Sequence, residues 1–585
     1  MRGLALFSAF VAARLVVVWG RPLEWTPLNL LACVGQDAAV AAAVAAADWL
    51  GSRFRFGKAV GITVFWAVVL YTAVNAVVAR ALSTPLTWPM LRAAGGPISD
   101  SIWFYANARA AGTFLFVGGA AALGLWAWRR PPEIVRVVAV TGLAVVAVAG
   151  TLAERRVDTH GLHRNAVVTL AASALPAVRA RAAERDWRHS TFANPARSSL
   201  EALRGAAAGM NVVLVGLEST GAQYLRTYGA AENVMPTLEA LAQSAVVFDN
   251  AYAVAPDSIR SLFSVICSRY PAFDTAPEVY ARAPCASVAE AFRAAGYDTA
   301  MFHSGRFGYL GMEAVIRDRG FDLLADAGDI GGNRESSFGV DEPAAVSRML
   351  RWVDERPANR RFFINYLPIA GHHPYEAPAP GAFGAATDID RYRSALFEGD
   401  RSLGTLIDGL RARGLYDRTL FVLYGDHGQA FGQHDGNFGH TFFLYEENVR
   451  VPFIVALPGR LAHPVRAPSP VSLVDLAPTL LDVMGFGADT RSQGSSALDG
   501  QARTAMFFTD YGANLVGLRD GPWKFIHELG APRSRLFHLV SDGAEEINAD
   551  GSEPQRVAEY RRILEDWSAA EKARLNPASG VSGPR

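Results

Sequence analysis

Asp426 and His427 stand where an apolar run, Phe421 to Tyr424, ends in Gly425. Catalytic ligands in an open α/β sheet sit at this kind of place, where the chain leaves the carboxyl end of a strand. A carboxylate beside an imidazole, with His434 and His440 in the loop that follows, suits a divalent metal with oxygen and nitrogen ligands. A second apolar run, Asn211 to Leu217, ends in Glu218 and repeats the pattern: strand, acid, then turn residues Ser219, Thr220 and Gly221. Ser258 follows Pro256 and Asp257 and opens the pattern Ile259, Leu262, Phe263, Ile266, which predicts an amphipathic helix. A serine there serves as an N-cap. It would also hold its hydroxyl beside backbone N–H donors and the positive end of the helix dipole, where a phosphoryl or sulfuryl group binds well.

Ten segments in order, from about Asn211 to Trp567, resemble the sulfatase-type branch of the alkaline phosphatase superfamily: NVVLVGLES, MPTLEALAQSAVVFDNAYA, SRYP, GYDTAMFHSG, GHHPYEAP, TLFVLYGDHGQAFGQH, YEENVRVPFIV, VSLVDLAPTLLDVMG, LVGLRDGPWKFI and LFHLVSDGAEEIN. The family's oxidised nucleophile lies in a C/S-x-P-x-R signature, whereas this chain reads Ser258-Ile259-Arg260-Ser261-Leu262. Without the Pro and the Arg, formylglycine conversion of Ser258 is not expected. The single Glu218 in place of two consecutive Asp, and His440 in place of a Lys, resemble the membrane-bound lipoteichoic acid synthases and phosphoethanolamine transferases, which use an unmodified Thr where this chain has Ser258. The segments RDGPWKFI and LFHLVSDGAEEIN are similar to the sulfatase carboxyl-terminal subdomain.

The resemblance implies a site. Glu218, Asp426, His427 and the Ser258 hydroxyl would share one divalent ion, Mn, Zn or Mg, and Ser258 would be the nucleophile. His303, His372 and His440, with His434, would face the oxygens of the transferred group. Arg260 reads two ways: as a clamp on that anion or as a surface residue of its helix. Membrane lipid or another phospho- or sulfo-ester would be the substrate, and a glycan or polymer the acceptor. A membrane-tethered sulfatase or phosphodiesterase that releases the group to water is the competing enzyme. A non-catalytic scaffold fits poorly with an intact Glu218, Ser258, Asp426 and His427.

The elements that must position these residues divide the chain. Half of its residues are hydrophobic, and the excess lies before residue 155. Spans of about 17–25 apolar residues can cross a bilayer; five candidates are Leu4–Gly20, Leu28–Leu50, Ala59–Val78, Thr113–Trp128 and Ile134–Ala153. The first follows Arg2 and also reads as a signal peptide, but no small-residue cleavage site follows it. Basic clusters lie between spans two and three (Arg53, Arg55, Lys58) and between spans four and five (Arg129, Arg130, Arg136). Placing both in the cytoplasm leaves the catalytic domain outside, on a multi-pass protein of the plasma or inner membrane.

The expected organisation is a multi-span helical membrane domain (1–155) and a basic juxtamembrane linker (156–208). An α/β alkaline-phosphatase-like domain (209–494), a small α+β subdomain (495–575) and a disordered tail (576–585) follow. In the linker, His160 and His163 show no metal spacing, and Arg179 to Arg188 read as a surface helix. Cys267 and Cys285 both fall in the outer domain, where a bridge is permitted; two separate buried thiols fit equally well. Equal numbers of basic and acidic residues, 56 each, argue against a dedicated nucleic-acid binder.

Overall fold

The computed structural model describes residues 2–575 apart from 20–25, 52–53, 55, 83, 94–106, 130, 158, 160, 184–185, 193–199, 333–337, 379, 488 and 532. The expected disordered tail, Arg53, Arg55, Arg130 and His160 lie outside the described residues. The chain forms two units, one of residues 1–176, 432–442 and 511–513, the other of residues 177–431, 443–510 and 514–585.

The first unit is built on helices α1 (Arg2–Val18), α2 (Pro27–Gly51), α3 (Gly57–Leu82), α4 (Ala108–Ala127) and α5 (Glu133–Glu154). The last four are long and apolar enough to cross a membrane. α1 has 17 residues, roughly 25 Å at 1.5 Å per residue, against a hydrocarbon core of about 30 Å. Gly35 of α2 and Gly150 of α5 face each other; a Cβ on Gly150 would come within 2.4 Å of the Gly35 Cα. Small residues let the two backbones approach, a common device where burial in lipid supplies no hydrophobic drive between helices. The helices are not charge-free. Arg14 of α1 pairs with Asp37 of α2 at 2.9 Å, and Asn165 Nδ2 donates to the same carboxylate at 2.7 Å, so the buried acid is fully engaged.

The basic linker departs from its expected form. Among the described residues of Arg179 to Arg188 there is no helix. This stretch is an irregular strap on the second unit: Val178 and Trp187 are buried in a core with Trp567, the Arg181 N–H donates to the Ala569 carbonyl, and its guanidinium meets Asp566 at 2.8 Å. An apolar anchor at each end and a backbone donor committed between them leave no room for helical pairing.

The second unit is centred on a mixed sheet. Its strands are β1 (Asn211–Leu217), β2 (Ala245–Tyr252), β3 (Asp298–His303), β4 (Leu323–Ala325), β5 (Phe362–Leu367), β6 (Thr419–Gly425), β7 (Phe453–Ala456) and β8 (Val465–Ser472). They lie in the order β8-β2-β7-β6-β1-β5-β3-β4. β6, β1, β5, β3 and β4 are parallel, and β7 runs antiparallel to β6 and β2. β1, β5 and β6 are buried at every position, which is why they read as continuous Val/Leu/Phe runs and not as alternation. Helix α6 (Ser258–Cys267) follows β2 on one side; α7 (Glu342–Glu355) and α8 (Asp388–Ala412) follow later. A disulfide joins Cys267, at the end of α6, to Cys285. Beyond it a four-stranded antiparallel sheet, β9 (Thr504–Thr509), β10 (Leu515–Asp520), β11 (Trp523–Glu528) and β12 (Ser534–His538), packs with helix α9 (Pro554–Leu575). This is the expected small α+β subdomain.

Candidate active site

The register of the sheet builds the site. Leu217 of β1 pairs with Gly425 of the parallel strand β6, so the next residues, Glu218 and Asp426, leave adjacent strand ends side by side. The Asp426 N–H donates to the Leu217 carbonyl at 3.2 Å. Ser219 turns with a positive φ of 52°, which aims its N–H at Asp426 Oδ1, 2.9 Å away. The His427 N–H reaches the same oxygen at 2.8 Å. One carboxylate oxygen is thereby fixed by two backbone donors while the other lies 3.5 Å from His427 Nε2. His427 Nδ1 donates to the Gly428 carbonyl at 3.0 Å, which leaves Nε2 as the lone-pair nitrogen toward the site, the usual way a second contact sets a ligating tautomer.

Ser258 arrives from α6. Asp257 caps that helix, its carboxylate accepting from the Arg260 N–H at 3.0 Å. The Ser258 hydroxyl sits 3.1 Å from Glu218 Oε2 and 3.2 Å from His427 Nε2. His427 Nε2 in turn lies 3.6 Å from Glu218 and 3.5 Å from Asp426. The ligand atoms of Glu218, Asp426 and His427 all fall within 4.8 Å of one another. Two carboxylates, one imidazole and one hydroxyl converging on a single point form a donor set that fits one divalent cation.

The electrostatics agree with that fit. Burial pushes the Asp426 carboxyl up to about 7, with the Glu218 charge adding to the rise and His427 opposing it. Burial pushes Glu218 up as well, but the His427 and His372 imidazoles and the Ser219 and Ser258 hydroxyls hold it below the ordinary range. His427 is raised, because the two carboxylates outweigh a burial that alone would lower it. Two acids crowded together with a compensating imidazole mark a position where positive charge is wanted.

The remaining candidates separate. His303 ends β3, is buried, and donates from Nδ1 to the Leu367 carbonyl at 2.9 Å. Burial lowers its pKa, and Glu218 is close enough to oppose that. His372 follows Gly371, where a Cβ would fall 2.0 Å from the Glu218 carbonyl oxygen; only glycine lets this loop cross the strand end. Phe338 packs 4.3 Å from the His372 ring. Glu218, Ser258, Asp426, His427, His303 and His372 therefore belong to one electrostatic neighbourhood. His434 and His440 lie on the segment Gly432–Phe442, which groups with the first unit. Arg260 is neither on the surface nor open to an anion from solvent: it is 6 % exposed, meets Asp510 at 2.8 and 3.1 Å, and lies over the Phe508 ring. Sequence reading missed Asp510, 250 residues away; it placed a turn at Ser219, but the positive φ that aims the Ser219 N–H at Asp426 leaves no mark in a sequence.

Residues 210–486 match the family model described as Sulfatase. Lipoteichoic acid synthase-like YvgJ of Bacillus subtilis (strain 168) is 23% identical over 320 residues, 52% of this chain and 51% of that protein. A choline-sulfatase of Rhizobium meliloti (strain 1021) is 32% identical over 176 residues, 28% of this chain and 33% of that one. The chain thus spans a third to a half of the length of these curated relatives. Among solved structures, the lipoteichoic acid synthase LtaP of Listeria monocytogenes superposes with a TM-score of 0.52 at 18% identity, over 64% of this chain and 94% of that one, a likeness of fold.

Proposed function

We propose that this chain, whose residues 210–486 match the Sulfatase family model, is a membrane-anchored, metal-dependent phosphotransferase of the alkaline phosphatase superfamily. It takes a phosphoryl headgroup from a lipid onto Ser258 and passes it to a glycan or polymer outside the cytoplasm. The observation that carries this reading is the placement of the Ser258 hydroxyl, 3.1 Å from Glu218 and 3.2 Å from His427, in a sequence without the Pro and Arg of the formylglycine signature.

Glu218, Asp426, His427 and Ser258 would hold the cation, which when bound lowers the pKa of the serine hydroxyl and so supplies a nucleophile near neutral pH. The protein's own part is placement. The cap at Asp257 and the Arg260–Asp510 pair fix the first turn of α6, and with it the Ser258 Oγ. In the first half-reaction Oγ bonds to phosphorus as the bond from phosphorus to the leaving alcohol oxygen breaks, and that oxygen takes up a proton. In the second, an acceptor hydroxyl gives up its proton, bonds to phosphorus and frees Oγ. His303 and His372 are assigned to the oxygens of the transferred group. Arg260 acts through the helix it locks, not by touching substrate.

A hydrolase that hands a sulfuryl or phosphoryl group to water is the second reading, favoured by the 32% identity to a choline-sulfatase. The mass of the Ser258 peptide after incubation with membrane lipids decides between them. A phosphoglycerol or phosphoethanolamine adduct is expected. A formylglycine mass, or release of the group to water with no acceptor product, would overturn the transferase reading.

A further inference from the structure

Glu342 is a third carboxylate gathered near the site end of the sheet, and neither the metal cluster nor the nucleophile uses it. It opens helix α7 just after the cap Asp341 and is 8 % exposed. Its side chain leaves the helix for the strand ends. One oxygen accepts from the hydroxyls of Ser304 and Tyr366; the other accepts from the Ile369 N–H at 2.7 Å. Ser304 is the residue after His303. Ile369 is three residues before His372, and its carbonyl accepts from the His372 N–H at 2.9 Å. The two loops are stitched further by the Ser304 N–H on the Leu367 carbonyl at 3.1 Å and the Val340 N–H on the Ser304 carbonyl at 2.8 Å. The Leu367 carbonyl also holds His303 Nδ1. The segment entering α7 supplies Phe338 to the face of His372.

We infer that Glu342 is a positioning residue that sets His303 and His372 against each other, so that the two imidazoles meet one tetrahedral anion at a fixed spacing. The inference rests on the proposed role of those histidines. The chemistry calls for a carboxylate. Three donors converge on it, and an ionised carboxyl offers two acceptor oxygens with room for all three. Glutamine has the same shape but only one acceptor oxygen, so at least one of the three bonds is lost and an N–H is turned toward a donor. Displacing a group that holds a reacting anion by about 1 Å can cost roughly 100-fold.

The test uses the full-length, metal-loaded protein in detergent and inorganic phosphate as the probe, with affinity read by calorimetry and metal content read separately. Glu342→Gln is expected to bind phosphate at least about 10-fold more weakly with unchanged metal content. In a His303→Ala/His372→Ala background the same substitution should change affinity less than about 2-fold, because Glu342 acts through those rings. Wild-type phosphate affinity in Glu342→Gln overturns the inference. So does an equal loss in the background without the histidines, which a merely structural acid would give. If Glu342→Gln does not fold, Ser304→Ala and Tyr366→Phe each remove one donor. Weaker phosphate binding in both is then expected, and unchanged affinity in both overturns it. A wild-type protein that binds phosphate but never acquires an adduct on Ser258 removes the transferase reading and leaves Glu342 standing. One that binds no phosphate removes both.

Discussion

Ser258 has one neighbouring hydroxyl on its helix that could stand in for it, Ser261, and the structure separates the two. The Ser261 Oγ is buried and donates to the Ala255 carbonyl at 3.0 Å, whereas the Ser258 Oγ touches Glu218 and His427. Ser258→Ala should therefore lower turnover about 1,000-fold or more and abolish any covalent adduct. Ser258→Thr should keep measurable activity, since it retains a hydroxyl at the same Cβ. If Ser258→Ala stays active while Ser261→Ala dies, the assignment along this helix is wrong. Glu218→Ala and Asp426→Ala each remove a proposed cation ligand and leave the strand buried beneath it untouched. Metal analysis should show affinity reduced by more than about 100-fold, since even outer partners of a ligand cost about 10–100-fold. A folded variant with full metal content would remove this site. The acids and His427 were legible because each ends an apolar run, and a strand end is a place sequence can mark. The fate of Arg260 was not. A guanidinium two residues after a nucleophile reads as an anion clamp until a partner 250 residues away claims it.

That partner belongs to the architecture of elements. Asp510 follows β9 in the carboxyl-terminal subdomain, and its carboxylate takes the Arg260 guanidinium of α6 and the Asp274 N–H at 2.7 Å. Helix α6 is therefore tied to the small sheet at one end and, through Cys267–Cys285, to the approach to β3 at the other. Removing one member of a buried ion pair leaves the other charge unpaired in a low dielectric, at about 3–5 kcal/mol. Arg260→Met should destabilise the protein on that scale in denaturant unfolding and lower turnover with metal content unchanged. The double variant Arg260→Met/Asp510→Leu should recover much of the stability. An Arg260→Met protein as stable as wild type would mean that the pair carries no such weight. At this scale the strands β1, β5 and β6 and helix α6 were plain in the sequence, because burial on both faces and a 3.6-residue period leave a pattern. The linker was not. Its Ala- and Arg-rich composition favours helix, and only the docking of Val178 and Trp187 into the Trp567 core overrides that preference. The pairing of Arg14 with Asp37 was equally hidden, since two charges in separate apolar spans show no relation until the helices are packed.

At the scale of the whole molecule, the question is which side of a membrane the catalytic unit occupies. Four helices have the length and composition to cross, and α1, at 17 residues, falls short of a hydrocarbon core of about 30 Å by roughly one turn or less. Lys58 opens α3, and Arg129 and Arg136 flank the junction of α4 and α5. If both turns are in the cytoplasm, an even or odd count before α2 decides little for the carboxyl side: α5 would leave that junction and end outside, and everything after Glu154 would follow it out. The disulfide is an independent argument. Cys267 and Cys285 enclose a sequence separation of 18 residues, a closure worth about 3 kcal/mol in the chain-entropy account, and such bonds persist in oxidising compartments and are rare in the cytosol. Two measurements follow from one orientation. Reporter fusions placed after residue 210 should be active only for a reporter that works outside the cytoplasm. Protein extracted without reductant should leave Cys267 and Cys285 unavailable to a thiol label after unfolding, while Cys33 reacts. An active cytoplasmic reporter together with labelled Cys267 and Cys285 would place the catalytic unit inside, and the lipid-to-glycan transfer proposed for Ser258 would then lose its acceptor.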